Sequence, residues 1–180
     1  RYAIVLGILG GIVGDDFPWY ALGVNAIVGA VNTVLIVLIV NHLTGNRLLA
    51  GWLGIIWALM PAAVTFAIGG METTVHNAFM LGAWFAYLQK RPRWLGAMCA
   101  GGVLTRPDAL IWAAPLLLHE LWVRWRERGD QSVMQWLPLD TWLTGLILFF
   151  PWLVFATLYF GSPIPHTVST KAAVYQIDDM

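Results

Sequence analysis

The sequence has few charged residues and almost no cysteine. Only 11% of its 180 residues are charged and 59% are hydrophobic, whereas a soluble domain carries about 25% charged residues. A chain with so little charge cannot cover a water-facing surface, so the composition predicts an integral membrane protein. The formal net charge of zero gives no argument for a nucleic-acid partner. The single cysteine, Cys99, excludes a disulfide within the chain, and its apolar neighbours predict a buried packing role.

The sequence also lacks the short signatures of nucleotide and metal sites. It contains no Walker A motif, no GxGxxG, no HExxH and no cysteines at zinc-ligand spacing. We therefore do not expect the chemistry of soluble nucleotide-sugar enzymes. The chain begins at Arg1 without signal-peptide architecture and ends at Met180 without an obvious stop. We expect it to be part of a longer protein.

Long apolar segments are abundant. A helix that spans a membrane needs about twenty residues. Four segments approach that length: 19–40, 48–68, 74–89 and 136–160. Pro61 predicts a kink in the second. Segment 1–13 is too short to span and predicts a juxtamembrane or truncated helix, while residues 161–180 form a polar tail. Asp15 and Asp16 could bind a metal or act as a base, or could lie in a solvated loop that caps the next helix.

The segment 94–122 is too short for two full spans, which need about forty residues. It is either one broken helix or a hairpin of two short helices, and Gly101, Gly102 and Pro107 are expected to break it. Cytoplasmic loops carry the excess of Lys and Arg. A hairpin places three basic loops on one side: 41–47, 89–93 and 123–135. The sequence therefore predicts an all-α, polytopic transmembrane helical bundle in one domain, 1–180, with a short-helix hairpin at 94–122.

The hairpin carries a consequence for the polar residues at its turn. Ten residues of helix rise about 15 Å, so Thr105 to Asp108 would lie near mid-depth in the membrane. Irregular backbone at that depth is tolerated only where protein buries it or where it lines a wet cavity. We therefore predict a polar cavity open to the external side. The residues expected to line it are Glu72, Arg106, Asp108, His166 and Lys171.

Each of these residues has alternative interpretations. Glu72 and His76 are four residues apart, which suits metal binding or acid–base work, or a hydrogen-bonded pair at a helix start. Thr73 or Thr74 could cap that helix. Arg106 could pair with Asp108 to hold the turn, or its planar fork could hold a phosphate.

The remaining candidates lie in the polar tail. His166 stands in a rigid external loop, GSPIPHT. Lys171 could contact a lipid phosphate or be a solvated lysine. Both therefore have a structural as well as a functional interpretation.

Three short stretches occur in an order that resembles a known family. GMET at 70–73 comes first, LTRPD at 104–108 follows after a span and a basic turn, and YFGSPIPHT at 159–167 precedes Lys171. The ordered set is similar to bacterial GT-C membrane glycosyltransferases, in the branch that includes mycobacterial arabinofuranosyltransferase-like proteins. The chain departs from that pattern at His166, where relatives often have Asn.

The resemblance implies an enzyme of the bacterial plasma membrane. It would transfer a sugar from a polyprenyl-phosphate donor to an extracytoplasmic acceptor, with inversion at the anomeric carbon. Glu72 and His166 are the catalytic candidates. The substrate-binding candidates are Thr73, Arg106, Asp108 and Lys171. The family's catalytic carboxylate would lie before Arg1, unless Asp15 or Asp16 replaces it.

The resemblance leaves the cofactor and the partners partly open. The chain would hold no cofactor, or a divalent metal; Glu72 would orient the acceptor or that metal. Its partners would be the polyprenyl-phosphate sugar and the lipid bilayer, with other membrane subunits as a further option. A non-catalytic transmembrane subunit packed in a larger membrane complex is the alternative hypothesis. A transporter is a weaker one because the sequence shows no convincing internal repeat.

Overall fold

The computed structural model describes residues 17–68, 72–129 and 136–160, and within these ranges every regular element is helical. The helices are α1 (Phe17–Thr44), α2 (Arg47–Leu59), α3 (Pro61–Ile68), α4 (Thr73–Leu88), α5 (Pro92–Thr105), α6 (Leu110–Glu127) and α7 (Leu139–Phe160). The all-α prediction is confirmed for this part of the chain. The predictions for segment 1–13, Asp15, Asp16, His166 and Lys171 lie outside the described residues.

The predicted single span at 48–68 is wrong in one respect, because the structure has two helices there. Met60 is extended, with φ −64° and ψ 125°, since the residue before a proline is disfavoured in the α conformation. Pro61 then begins α3 instead of kinking a continuous helix. The start of α2 is fixed by Asn46, whose side chain accepts hydrogen bonds from the backbone N–H groups of Leu48 and Leu49 at 3.0 and 3.1 Å.

The break predicted within 94–122 is present between α5 and α6, where a 3-10 turn at Pro107–Ala109 joins the two helices. Arg106 is extended, with φ −144° and ψ 131°, as its place before Pro107 favours. The prediction that Gly101 and Gly102 break the segment is wrong, because α5 continues through both to Thr105.

Helices α4, α5 and α6 run alternately up and down, and they share one core. A tight turn reverses the chain after α4, where the Arg91 N–H donates to the Ala86 carbonyl at 2.9 Å. The core residues come from all three helices: Ala83, Ala86, Leu95, Cys99, Ala113 and Leu116. Cys99 is buried, as the sequence predicted. The starts of α4 and α6 and the end of α5 therefore meet at one end of the bundle, called here the Arg106 end.

Helix α5 also packs closely against α7 through glycine. A Cβ atom at Gly96 would overlap the backbone carbonyl of Thr141, and Gly145 faces Gly96 in the same contact. Small residues at helix interfaces let backbones approach closely, as in membrane proteins.

Two of the described helices are long and apolar enough to cross a membrane: Trp19–Thr44 in α1 and Leu139–Tyr159 in α7. Little of either helix is buried by the rest of the chain. Large side chains such as Ile27 in α1 and Ile147 in α7 are exposed instead, as is Trp52 in α2. Exposed apolar surface of this extent marks contact with a partner or a membrane. The two helices indicate association with a membrane.

Candidate functional site

The turn between α5 and α6 holds a bidentate ion pair. The Arg106 guanidinium donates from Nε to Asp108 Oδ1 at 3.1 Å and from Nη2 to Asp108 Oδ2 at 2.8 Å. Pairing within the turn, one of the two interpretations left open by the sequence, is therefore observed. The two side chains remain 38% and 48% exposed.

The pair does not use all of the donors of Arg106. A guanidinium has five N–H groups, and the two bonds to Asp108 engage only Nε and one N–H of Nη2. The edge formed by Nη1 and Nη2 is left to face another acceptor. Asp108 thus fixes the orientation of the guanidinium and leaves a second bidentate edge, which matches the geometry of a phosphate.

His76 lies on α4 and is joined to α6 at the same end of the bundle. The Trp112 Nε1–H donates to His76 Nε2 at 3.2 Å. In a neutral imidazole one nitrogen accepts and the other carries the proton, so this bond assigns the proton to Nδ1. Nδ1 is buried and has no hydrogen-bond partner in the described part of the chain. The imidazole therefore presents an N–H with unmet bonding capacity.

Two glycines on α5 make room for this arrangement. A Cβ atom at Gly101 would overlap the ring of Phe79 on α4, and one at Gly102 would overlap the ring of Trp112 on α6. The absence of a side chain at both glycines therefore leaves space for aromatic rings. They let α4 and α6 approach α5 closely enough for Trp112 to reach His76.

Glu72 and Thr73 form the start of α4. Glu72 precedes the helix in an α conformation and makes no side-chain cap bond, while its carbonyl accepts the His76 N–H at 2.9 Å. The prediction that Thr73 or Thr74 caps the helix is wrong: both lie inside it. The Thr74 hydroxyl is buried without a partner among the described residues. The Glu72–His76 side-chain pair is not formed either: Nε2 of His76 accepts from Trp112, and Nδ1 has no partner among the described residues.

The structure brings three of the predicted site residues to one end of the bundle with His76. Asp108, Arg106 and Glu72 are all near enough to His76 for their charges to act on its imidazole. Four polar groups from α4 and the α5–α6 turn thus converge at the Arg106 end. This arrangement can hold an anion on Arg106, and it can exchange or accept a proton at Glu72.

A second polar cluster lies towards the opposite end of these helices. Glu120 on α6 is buried, accepts a hydrogen bond from Arg124 at 2.9 Å and another from the Thr141 hydroxyl at 3.0 Å. The hydroxyl of Tyr87 lies 2.6 Å from His119 Nδ1. These bonds connect α4, α6 and α7, so we assign the cluster a structural role.

Sequence reasoning missed Trp112 and Asn32 as parts of polar contacts. Trp112 lies 36 residues from His76, and its indole is indistinguishable by sequence from the many other tryptophans of the chain. Asn32 donates to the Thr74 carbonyl at 2.9 Å, across 42 residues. An asparagine inside an apolar span is a detectable signal, because polar groups there need partners.

No group of three or more His, Cys, Asp or Glu side chains in the described ranges is placed to hold a metal ion. Comparison of the chain with models of protein families, with curated proteins and with solved structures found no match. Any assignment of function therefore depends on the geometry of the site and on the family resemblance of its motifs.

Proposed function

We propose that this chain belongs to a membrane glycosyltransferase that moves a sugar from a polyprenyl-phosphate donor to an extracytoplasmic acceptor. One observation carries the proposal. Arg106 is held by Asp108 with a second bidentate edge left over, beside Glu72 and His76. The resemblance of the GMET and LTRPD motifs to GT-C enzymes supports the same proposal, since Glu72 of the first motif and Arg106 and Asp108 of the second lie at this end of the bundle.

The reaction assigns a task to each group. The acceptor hydroxyl oxygen attacks the anomeric carbon as the bond from that carbon to the phosphate oxygen breaks, so the lipid phosphate leaves with the electron pair. Arg106 stabilises the negative charge that develops on the phosphate. A carboxylate takes the proton of the acceptor hydroxyl. Glu72 is the candidate for this step in the described part of the chain. In the tail, His166 remains a second catalytic candidate and Lys171 a candidate to bind the donor phosphate.

The proposal includes a multi-pass arrangement in a bacterial plasma membrane. The Arg106 end faces the external side, and the opposite end carries the basic residues Lys90, Arg91 and Arg124. This orientation follows the enrichment of Lys and Arg on the cytoplasmic side. Helices α4 and α5 have only 16 and 14 residues, so neither reaches across a full bilayer. Short helices of this kind leave the site below the external surface, in reach of a lipid phosphate.

The test is glycosyl transfer by the full-length protein in proteoliposomes that contain polyprenyl-phosphate sugars. We expect Glu72→Gln to lower kcat by at least about a hundredfold, since general acid–base catalysis contributes about 10²–10⁴-fold, with membrane insertion unchanged. Glu127→Gln is the matched control, because Glu127 is exposed at the opposite end of α6. An unchanged kcat in Glu72→Gln would assign Glu72 a structural role at the start of α4.

A non-catalytic subunit is the second candidate, and two observations favour it. Arg106 already has a carboxylate partner, and apolar side chains cover much of the outer surface of α1, α2 and α7. Such a surface suits packing against other membrane subunits as well as lipid. Wild-type protein that inserts correctly but transfers no sugar from any polyprenyl-phosphate donor would support this candidate.

A further inference from the structure

A cavity lies among α1, α2, α3 and α4, separate from the Arg106 site. Its volume is about 280 Å³, far above the roughly 10–15 Å³ that one water needs and near the lower end of the range of about 300–1,000 Å³ for ligand pockets. The lining includes Asn32, Thr33, Trp57, Ala63, Thr74 and Asn77. None of the described residues that line it carries a charged side chain.

Two lining side chains are buried with unused hydrogen-bonding capacity. Asn32 is 2% exposed, and its Nδ2 donates to the Thr74 carbonyl at 2.9 Å while its Oδ1 has no partner in the described part of the chain. Thr74 is 5% exposed, and its hydroxyl has no partner there either. By contrast, Thr33 has used its hydroxyl to donate to the Gly29 carbonyl at 3.1 Å.

The unused groups define the chemistry of an occupant. Asn32 Oδ1 is an acceptor only, so it requires a donor. The Thr74 hydroxyl can donate or accept. A hydroxyl group satisfies both, since it carries one donor and two acceptor lone pairs. A charged ligand is disfavoured because the described lining residues offer no opposite charge, and burying an unpaired charge is costly. Trp57 also lines the cavity and adds apolar contact area.

We propose that this cavity binds an uncharged, hydroxyl-bearing group, with Asn32 and Thr74 as its hydrogen-bonding partners. Thr74 stands two residues after Glu72 on α4, so the cavity lies next to the proposed reaction site. Its identification as a subsite for the sugar hydroxyls of the acceptor rests on the proposed function. The same chemistry could be met by water, and the experiment separates the two sources.

The experiment measures protection of a cysteine placed in the cavity. Ala63→Cys is introduced into a Cys99→Ala background and reconstituted in nanodiscs without any glycoside detergent. The rate of its modification by a small methanethiosulfonate reagent is then followed against increasing methyl glucoside, a pyranoside, or methyl riboside, a furanoside. We expect at least one of these glycosides to slow modification by about threefold or more at saturation, and inorganic phosphate to leave the rate unchanged.

Matched variants test the two hydrogen-bonding partners. Thr74→Val keeps the shape and removes the unused hydroxyl, so we expect the half-protecting glycoside concentration to rise about fivefold, as for the loss of one net hydrogen bond. Thr33 lines the same cavity, but its hydroxyl is already bonded. Thr33→Val should therefore change the half-protecting glycoside concentration less than twofold. Asn32→Leu should act like Thr74→Val. Asn25→Leu is its control, since Asn25 is also fully buried on α1 but does not line the cavity.

Three results would overturn the inference. A reactive cysteine that neither glycoside protects would mean that the cavity holds water only. A cysteine that no reagent reaches would mean that the cavity is sealed. Equal weakening by Thr33→Val and Thr74→Val would point to shape alone. The proposed function is refuted by a different result. Glycoside protection without glycosyl transfer would support the binding site and refute the proposed enzyme activity. Glycosyl transfer without glycoside protection would support the enzyme activity and refute the binding site.

Discussion

Replacing Arg106 with lysine separates a structural from a catalytic role for the α5–α6 turn. The Arg106–Asp108 pair is more than one-third exposed, and exposed ion pairs contribute about 0.2–1 kcal/mol. Arg106→Lys keeps the charge, so the free energy of unfolding should fall by less than about 1 kcal/mol. Lysine cannot hold Asp108 and a phosphate with two parallel bonds each.

The expected effect on transfer is larger than the effect on stability. A hydrogen bond to a charged group contributes about 1.5–3 kcal/mol, which corresponds to a reduction of roughly 10- to 150-fold in kcat/KM for the lipid donor, at 1.36 kcal/mol per factor of ten. The assay is steady-state transfer in proteoliposomes at varied donor concentration, with thermal unfolding measured in parallel. Arg93→Lys is the matched control, because Arg93 also lies near a carboxylate, Asp140, at 3.8 Å, but at the other end of α5.

A double variant supplies the refuting result. In Arg106→Leu with Asp108→Leu both charges are removed together, so no unpaired charge remains in the turn. If Arg106 served only to pair with Asp108, this variant would recover both the stability and the full transfer activity of the wild type. That recovery would refute the phosphate-binding role. We expect stability to recover and transfer to stay low.

Two further predictions test the packing and the orientation. Gly96→Ala should lower the free energy of unfolding by about 1–3 kcal/mol in thermal unfolding, as overpacking does, because its Cβ would meet the Thr141 carbonyl. Gly51→Ala is the control and should leave the free energy of unfolding unchanged, because a Cβ there meets nothing within 4 Å. Equal losses in the two variants would contradict the close α5–α7 contact. A cysteine at Gln89 should be labelled only from the cytoplasmic side and one at Asp108 only from outside, and labelling of both from one side would contradict the multi-pass orientation.

The amino-acid sequence determined where helices form and where two of them end. Long apolar runs bounded by polar turns predicted α1, α4 and α7 within a few residues, because the length of such a run can be read from the sequence alone. The break before Pro107 was also predictable, since a proline restricts the residue that precedes it. The same rule applied to Met60 would have predicted two helices in place of one kinked span.

Only the tertiary structure decided which side chains meet. The sequence predicted that Gly101 and Gly102 break the helix. In the structure α5 continues through both, and the rings of Phe79 and Trp112 from neighbouring helices pack against them. A glycine's role depends on what packs against its missing side chain, and that neighbour lies on another helix.

The polar contacts of the site show the same division. Glu72, Arg106 and Asp108 could be singled out as candidate site residues because charge is scarce in this chain and each stands at a helix end. The bond from Trp112 to His76 and the bond from Asn32 to Thr74 join residues 36 and 42 positions apart. No local pattern encodes such pairs, because the rotation and depth of each helix are set by how side chains from several helices fill the space between them.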